Sequence, residues 1–106
     1  MNILFVCSMG INRSRTAAAC LKNGSNETDF AGTDPESDAF ITNFNIPDYD
    51  LIIFMEDSHL QETKALFPGF SSSYAVFGIP DEYSFMDDSL VHRLRSVYSK
   101  FDPFYE

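Results

Sequence analysis

Residues 2–24, NILFVCSMGINRSRTAAACLKNG, decide the fold of this chain. Residues 2–6 are a mostly apolar run, which predicts a short buried strand. Residues 14–23 are rich in Ala and are followed by Gly24, which predicts a helix that ends there. A strand, a loop and a helix in this order form the first unit of an α/β fold.

The same alternation continues along the chain. Residues 28–31 predict a second short strand, and residues 74–77 predict a fourth. Residues 51–55, LIIFM, are continuously apolar, as expected of a strand that is covered on both faces of its sheet. We therefore expect a three-layer α/β/α fold with a four-stranded parallel sheet, helices on both faces and right-handed crossovers.

Helix signals lie between and after these strands. Asp34 as N-cap and Pro35 at the first helical position predict a short helix that places residues 40, 41 and 44 on one face. A capping-box pattern at Ser58 and Gln61 predicts the next helix. A last helix follows Asp87 and Asp88, either of which could cap it. Its apolar residues repeat at helical spacing: Leu90, Leu94, Val97 and Phe101.

The length and the charge of the chain limit what it can be. At 106 residues it can form one sizeable core, so we expect a single domain that spans residues 1–106. The formal net charge of −9 disfavours nucleic acids and anionic membranes as partners, because they carry charge of the same sign. We expect neither of these partners, and we favour a monomer.

Cysteine and histidine usage gives two further expectations. Two cysteines in different contexts do not form the disulfide framework of a small secreted protein, and residues 1–6 are too few for a signal peptide. We therefore expect a cytoplasmic protein. His59 and His92 have no metal-ligand companions at suitable spacing, so we expect both at the solvated surface, and we expect no metal and no cofactor.

The loop between the first strand and the first helix has the pattern CxxxxxRS, from Cys7 to Ser14. The N–H groups of such a loop, with the positive end of the following helix, can surround a tetrahedral anion such as phosphate. Gly10, halfway along, can adopt a positive φ, which a loop that closes on an anion often requires. The residues expected to bind the anion are Ser8, Met9, Gly10, Ile11 and Asn12.

Cys7, Arg13 and Ser14 are the candidate catalytic residues of this loop. The field that attracts phosphate also favours the thiolate of Cys7, which would make this residue a nucleophile. The planar guanidinium of Arg13 can bind two phosphoryl oxygens, and Ser14 can donate a hydrogen bond to the Cys7 sulfur. The alternatives are a buried structural Cys7 and a solvated first helical turn at Arg13 and Ser14.

Departure of an alcohol or phenol from phosphate also needs a proton donor near the loop. Asp81 is our first choice, because it follows the fourth strand at the edge of the sheet where ligands of parallel sheets bind. Asp87 is the second choice. The alternatives are a turn residue after Pro80 for Asp81 and a helix cap for Asp87. Tyr83 could form an aromatic wall of the pocket or lie at the surface.

Residues 6–14, VCSMGINRS, resemble the phosphate loop of low-molecular-weight protein tyrosine phosphatases. Ala31-Gly32-Thr33 is similar to the AGT segment of that family, and residues 49–68 resemble its third strand and following helix. Asp81-Glu82-Tyr83 is similar to the segment with the general acid. Residues 79–87 resemble the IPDxYxxMD ending of a short bacterial and phage-type branch.

This resemblance implies a phosphatase I-like fold of flavodoxin-like topology. It also implies a cytoplasmic hydrolase of protein tyrosine phosphatase type, with a phosphocysteine intermediate on Cys7. Arg13 would bind the phosphoryl group, Asp81 would be the general acid, and the substrate would be a phosphorylated protein or a small phosphomonoester. Gly10 stands where the family commonly has Asn, and Asn12 stands where a second Cys is frequent. A short segment between Gly32 and Asp50 leaves the preference between phosphotyrosine and other phosphoesters open.

Three alternative functions use the same loop differently. A non-catalytic phosphate or phosphopeptide-binding module would keep the loop without an active acid. A cysteine phosphocarrier would hold a stable phosphoryl group on Cys7, although Arg13 is unusual in such loops. Thiol-coupled arsenate reduction would need a relay of cysteines, and only Cys20 is available for it.

Overall fold

The computed structural model describes residues 1–101 and alternates strands with helices, as the sequence predicts. The strands are β1 (Asn2–Cys7), β2 (Glu27–Gly32), β3 (Leu51–Phe54) and β4 (Tyr74–Val76). The helices are α1 (Arg13–Cys20), α2 (Asp57–Leu66) and α3 (Asp88–Phe101). All neighbouring strands are parallel and their order is β2-β1-β3-β4, which confirms the predicted four-stranded sheet.

Side chains that alternate along β1 enter two hydrophobic clusters on opposite faces of the sheet. Ile3 and Phe5 belong to the cluster under α1 and α3, whereas Leu4 and Val6 belong to the cluster that includes Leu60 of α2. All four β1 side chains are fully buried. The predicted three-layer α/β/α arrangement is therefore confirmed, and β1 is at its centre.

The strand order also determines where a ligand can approach. The chain leaves β1 toward β2 on one side of the sheet, and it later returns to form β3 on the other side of β1. Ligands of parallel sheets bind beyond the carboxyl ends of the strands at such a reversal. The loop after Cys7 begins at this point.

The helix predicted from Asp34 and Pro35 is wrong. The segment forms turns and two short 3₁₀ helices instead, Ile41–Asn43 and Ile46–Asp48. The Asp34 carboxylate accepts the Glu36 N–H at 2.8 Å, and the Asp34 carbonyl accepts the Ser37 N–H at 2.9 Å. The Asp34 side chain therefore closes a turn and does not cap a helix. The Ser37 hydroxyl bonds the loop after β1.

Two helix ends also differ from the predictions. Helix α1 ends at Cys20 rather than at residue 23, because the Asn23 side chain accepts the Ser25 and Asn26 N–H groups at 2.7 and 3.0 Å and closes a turn there. Helix α2 begins one residue before Ser58, and its capping box consists of Glu56 and His59 instead of Ser58 and Gln61.

Helix α3 follows the predicted cap, and its apolar residues Leu90 and Leu94 are fully buried against the sheet. Val97 packs on the same cluster, while the Phe101 side chain lies outside the described part of the structure. None of the helices in residues 1–101 is long and apolar enough to cross a membrane.

Candidate active site

Cys7 is the last residue of β1, and its side chain is only 3% exposed. The Ser14 hydroxyl lies 3.0 Å from its sulfur, and the Gly10 N–H donates to the same sulfur at 3.2 Å. Ser14 belongs to the first turn of α1, so the helix and the loop each bring a polar group to the sulfur. A hydroxyl and an N–H are both groups that can donate a hydrogen bond to a sulfur.

The loop after Cys7 has N–H groups that bond to no other part of the described structure. Among residues 1–101, no acceptor is found for the N–H groups of Met9, Ile11 and Asn12. Successive N–H groups that have no protein acceptor can bind water or an anion. The loop can therefore serve as an anion-binding nest.

The segment that follows β2 donates hydrogen bonds to the carbonyl groups of the loop. The Thr33 N–H donates to the Cys7 carbonyl at 3.0 Å, and the Asp34 N–H donates to the Ser8 carbonyl at 2.9 Å. The Ser37 hydroxyl donates to the Met9 carbonyl. With three successive carbonyls held outward, the amides of the loop are free to face an anion.

Two glycines allow this close approach. Gly10 has a φ of 67°, and a Cβ there would lie 3.0 Å from backbone atoms of Ala31 and Gly32. A Cβ on Gly32 would lie 2.6 Å from the Ser8 carbonyl oxygen, which is closer than real Cβ atoms come to other heavy atoms. The expectation of a positive φ at Gly10 is confirmed, and Gly32 joins it as a steric requirement of the loop.

Arg13 is 3% exposed although it carries a permanent charge. Its Nη1 donates to the Ile79 carbonyl at 2.8 Å and to the Glu56 carboxylate. Its Nε lies 3.9 Å from the Asp81 carboxylate. The carbonyl and the two carboxylates compensate the buried charge and fix the plane of the guanidinium.

Loop residues, Arg13 and Asp81 line one cavity of about 130 Å³. Pockets for drug-sized ligands have volumes of roughly 300–1,000 Å³, so this cavity suits a group much smaller than a complete phosphopeptide side chain. The lining residues are Cys7, Ser8, Met9, Ile11, Asn12, Arg13 and Asp81. The loop and the distant aspartate thus meet as the sequence predicts.

The other predicted residues lie outside that lining: Gly10, Ser14, Asp87 and Tyr83. Asp87 directly precedes α3, and its carboxylate accepts the Ser89 N–H at 2.8 Å, which is the helix-capping alternative. Tyr83 packs against the core, and its hydroxyl accepts a hydrogen bond from Arg93 at 3.3 Å. Of the two predicted acids only Asp81 lines the cavity, and Tyr83 does not form a wall of it.

His59 is the residue that the sequence reasoning placed wrongly. We expected it at the solvated surface, but it is 1% exposed and contacts the loop: its Nε2 lies 3.0 Å from the Ser8 hydroxyl. Its Nδ1 accepts the Glu56 N–H at 3.0 Å. Burial and the nearby Arg13 charge lower its pKa, so the ring is neutral at pH 7. The available signal was the spacing of Glu56 and His59, which fits a capping box.

Cys20, the second cysteine, lies at the edge of the core and is half-buried. Burial raises the pKa of its thiol, so it is less nucleophilic than an ordinary cysteine at pH 7. No group of three or more His, Cys, Asp or Glu side chains in residues 1–101 is arranged to hold a metal ion.

The fold and the site together define a class: a parallel α/β/α protein whose CxxxxxRS loop begins at a buried cysteine. No model of a known protein family and no curated protein sequence matches the chain. Solved structures do match it. Wzb, a tyrosine phosphatase from Escherichia coli K30 in complex with phosphate, is 22% identical with a TM-score of 0.70, over 93% of this chain and 94% of that one.

Two further structures give the same result. Wzb from Vibrio vulnificus, in complex with benzylphosphonate, is 25% identical with a TM-score of 0.65, over 92% of each chain. A low-molecular-weight protein tyrosine phosphatase from Streptococcus pyogenes is 16% identical with a TM-score of 0.69, over 97% of this chain and 94% of that one. The resemblance inferred from the loop is confirmed, and the chain has the low-molecular-weight protein tyrosine phosphatase fold.

Proposed function

We propose that this chain hydrolyses phosphomonoesters through a phosphocysteine intermediate on Cys7. One observation carries the proposal: Cys7, Arg13 and Asp81 line the same small cavity, although 74 residues separate the first from the last. A structural cysteine would need neither a buried arginine nor a carboxylate beside it. Free loop amides, an arginine and an acid around a sulfur are the groups that phosphoryl transfer to a thiolate requires.

In the first step, the Cys7 thiolate attacks phosphorus opposite the ester oxygen. The S–P bond forms as the P–O bond breaks, and Asp81 gives its proton to the leaving oxygen. The loop amides and the Arg13 guanidinium hold the other phosphoryl oxygens as charge shifts onto them. Asp81 is 70% exposed, which leaves it accessible to a leaving group at the mouth of the cavity.

In the second step, water attacks the phosphocysteine. Asp81, now ionised, accepts a proton from this water, the S–P bond breaks and inorganic phosphate forms. The Ser14 hydroxyl, 3.0 Å from the sulfur, donates to the departing thiolate and stabilises it. The thiolate is regenerated without any cofactor.

The size of the cavity suggests how the substrate lies. A phosphoryl group fits inside, so its organic part must rest on the rim, where Ile11 is 49% exposed. An apolar rim residue suits an aromatic ester, and we propose a phosphorylated protein, with phosphotyrosine as the first candidate, as the physiological substrate. Arg13 also favours hydrolysis over a stable phosphocarrier, because it stabilises the charge that builds during each transfer.

Other properties complete the proposal. Both cysteines are free thiols and the nucleophile is active only when reduced, which supports a reducing compartment such as the cytoplasm. The formal charge of −9 supports a protein that avoids nucleic acids and anionic membranes. We propose one domain over residues 1–106 that acts as a monomer.

Turnover of a small aryl phosphate tests the function. We expect no turnover in Cys7→Ser and a loss of roughly 10²–10⁴-fold in kcat for Asp81→Asn, because the leaving phenol is no longer protonated. Asp87→Asn is the matched control, since its carboxylate caps α3, and we expect it to keep most of the activity while it loses some stability.

The outcomes separate the alternatives. Full activity in Cys7→Ser would overturn the proposal, and loss in Asp87→Asn without loss in Asp81→Asn would move the acid to Asp87. Tight phosphate binding by the wild type without turnover would indicate a binding module. Accumulation of phosphorylated Cys7 with a phosphohistidine donor, detected by mass spectrometry, would indicate a phosphocarrier.

A further inference from the structure

The first turn of α2 contacts the candidate active site at two points. Glu56, the N-cap of this helix, accepts a hydrogen bond from Arg13, and His59, three residues later, contacts Ser8. Glu56 and His59 also form the capping box of α2, in which each side chain bonds the backbone of the other. The start of this helix is therefore part of the support of the loop.

The capping box determines which nitrogen of His59 carries the proton. Nδ1 accepts the Glu56 N–H at 3.0 Å, and a ring nitrogen that accepts a hydrogen bond carries no hydrogen of its own. The neutral ring therefore has its hydrogen on Nε2. The Nε2–H must donate to the Ser8 oxygen, which lies 3.0 Å away.

The charges around His59 are consistent with a neutral ring. Arg13 of α1 faces it and, with burial, lowers its pKa, whereas Glu56, Glu62 and Asp81 raise it. Burial is the largest of these effects, and the net shift is downward. The ring therefore has a single donor, at Nε2, over the physiological range.

Ser8 lines the cavity next to Cys7. Since its oxygen accepts from His59, its own hydroxyl hydrogen must point to another acceptor, and among residues 1–101 no hydrogen bond from this hydroxyl to a protein acceptor is found. A phosphoryl oxygen in the cavity would be such an acceptor. A serine that is held in this way is a donor prepared for an anion.

We propose that the Ser8 hydroxyl donates a hydrogen bond directly to the phosphoryl group and that His59 is the positioning residue that aims it. The inference rests on the proposed function, and it adds a side-chain donor to a loop that otherwise binds with main-chain amides and Arg13. It also gives the capping box of α2 a role in the chemistry: the same bond that caps the helix selects the tautomer that orients Ser8.

A double-mutant cycle tests the proposal. We expect Ser8→Ala to lower kcat/KM for an aryl phosphate about tenfold, the size of a lost hydrogen bond to a charged group. His59→Gln keeps an acceptor for the Glu56 N–H, because Gln at this position is a normal capping-box residue. We expect a smaller loss in His59→Gln, and no additional loss when it is added to Ser8→Ala.

The binding of inorganic phosphate, measured by calorimetry at pH 7.5, gives a second readout. We expect Ser8→Ala to weaken phosphate binding more than His59→Gln does. The double variant should bind phosphate as weakly as Ser8→Ala alone. Ser58→Ala is the matched control, because Ser58 is an exposed residue in the same turn of α2 and its side chain makes no hydrogen bond within residues 1–101. Its kcat/KM and its phosphate affinity should equal those of the wild type.

Each contrary result has a defined meaning. If His59→Gln costs the same in the Ser8→Ala background as alone, His59 is a structural residue and the inference is wrong. If Ser8→Ala turns over substrate and binds phosphate as the wild type does, the hydroxyl makes no such bond. If the wild type binds phosphate without turnover, the proposed function fails, while the affinities of the variants still test Ser8. A wild type that binds no phosphate overturns both.

Discussion

At Gly10 two separate physical requirements coincide. The backbone has a φ of 67°, and a Cβ would lie 3.0 Å from the backbone of β2. Gly78 has a similar φ of 71°, but a Cβ there would meet no heavy atom within 4 Å. The two glycines share the conformational requirement and differ only in their surroundings.

This difference gives the first prediction at the scale of the residue. Gly78→Ala pays only for the left-handed conformation, which costs roughly 1–2 kcal/mol. Gly10→Ala must also displace backbone atoms of Ala31 and Gly32, so we expect it to lose about 1–3 kcal/mol more in the free energy of unfolding. Urea denaturation of both variants measures this, and equal losses would show that the loop can move away from β2.

Activity should separate the same two variants. Gly10→Ala moves the N–H that donates to the Cys7 sulfur, so we expect a large fall in kcat. Gly78 makes no hydrogen bond to this sulfur, so Gly78→Ala should retain most of its turnover at temperatures where it is folded.

At the scale of the element, two fully buried threonines show how helices contact the rest of the molecule. Thr16 of α1 accepts the Met86 N–H at 2.9 Å, which ties α1 to the segment that also contains Asp81. Met86 has a positive φ of 61° without being glycine, so this bond supports an unfavourable conformation. Thr63 of α2 is also fully buried, but its hydroxyl has no partner among residues 1–101.

The same substitution should therefore have opposite effects in the two helices. Thr63→Val removes a buried hydroxyl without a partner, and we expect it to raise the free energy of unfolding by about 1 kcal/mol. Thr16→Val leaves the Met86 N–H without its acceptor, and we expect a loss of about 1 kcal/mol. Thr and Val have similar helix propensities, so propensity cancels in the comparison. Thermal or urea unfolding measures both, and equal signs would contradict the explanation.

At the scale of the whole molecule, charge and pH act on stability together. The chain has a formal charge of −9, so an anionic substrate meets an unfavourable field until it reaches the local donors of the loop. Around His59 a positive charge matters instead, because Arg13 lies nearby. Protonation of this buried ring would place a second positive charge beside Arg13. Its lowered pKa therefore couples the stability of the protein to pH.

The sign of this coupling follows from proton binding. Below pH 6.5 the unfolded chain protonates His59, whereas the folded protein resists protonation because its pKa is lower. The unfolded state binds more protons, so stability rises with pH in this range and is lost as pH falls below about 6.5, by at most about 1.4 kcal/mol per pH unit.

We expect wild-type stability to fall between pH 7 and pH 5.5, and His59→Gln to lose less over the same range, because Gln does not titrate. Urea denaturation at several pH values measures both curves. Parallel curves would show that His59 is not the titrating group, and that the carboxylates alone cause the loss at low pH.

The amino-acid sequence alone determined the parts of this protein that depend on neighbours along the chain. The loop from Cys7 to Ser14 is contiguous, so its anion-binding character and the role of Gly10 could be inferred from spacing. Strands β1 and β3 were predictable because apolar runs of that length must be buried. The position of Asp81 beside the loop was predictable because parallel strands bring their carboxyl ends to one edge.

Only the tertiary structure decided the contacts between distant segments. The Asp34 signal was consistent with a helix or a turn, and the turn forms because the Asp34 N–H and the Ser37 hydroxyl bond the loop carbonyls. His59 was equally consistent with an exposed helix position, and the packing of α2 on the sheet brings it to Ser8. A local sequence pattern indicates which hydrogen bonds a residue can make. The partner that the residue actually bonds depends on the segment that packs against it. That segment is distant along the chain, so sequence spacing does not reveal it.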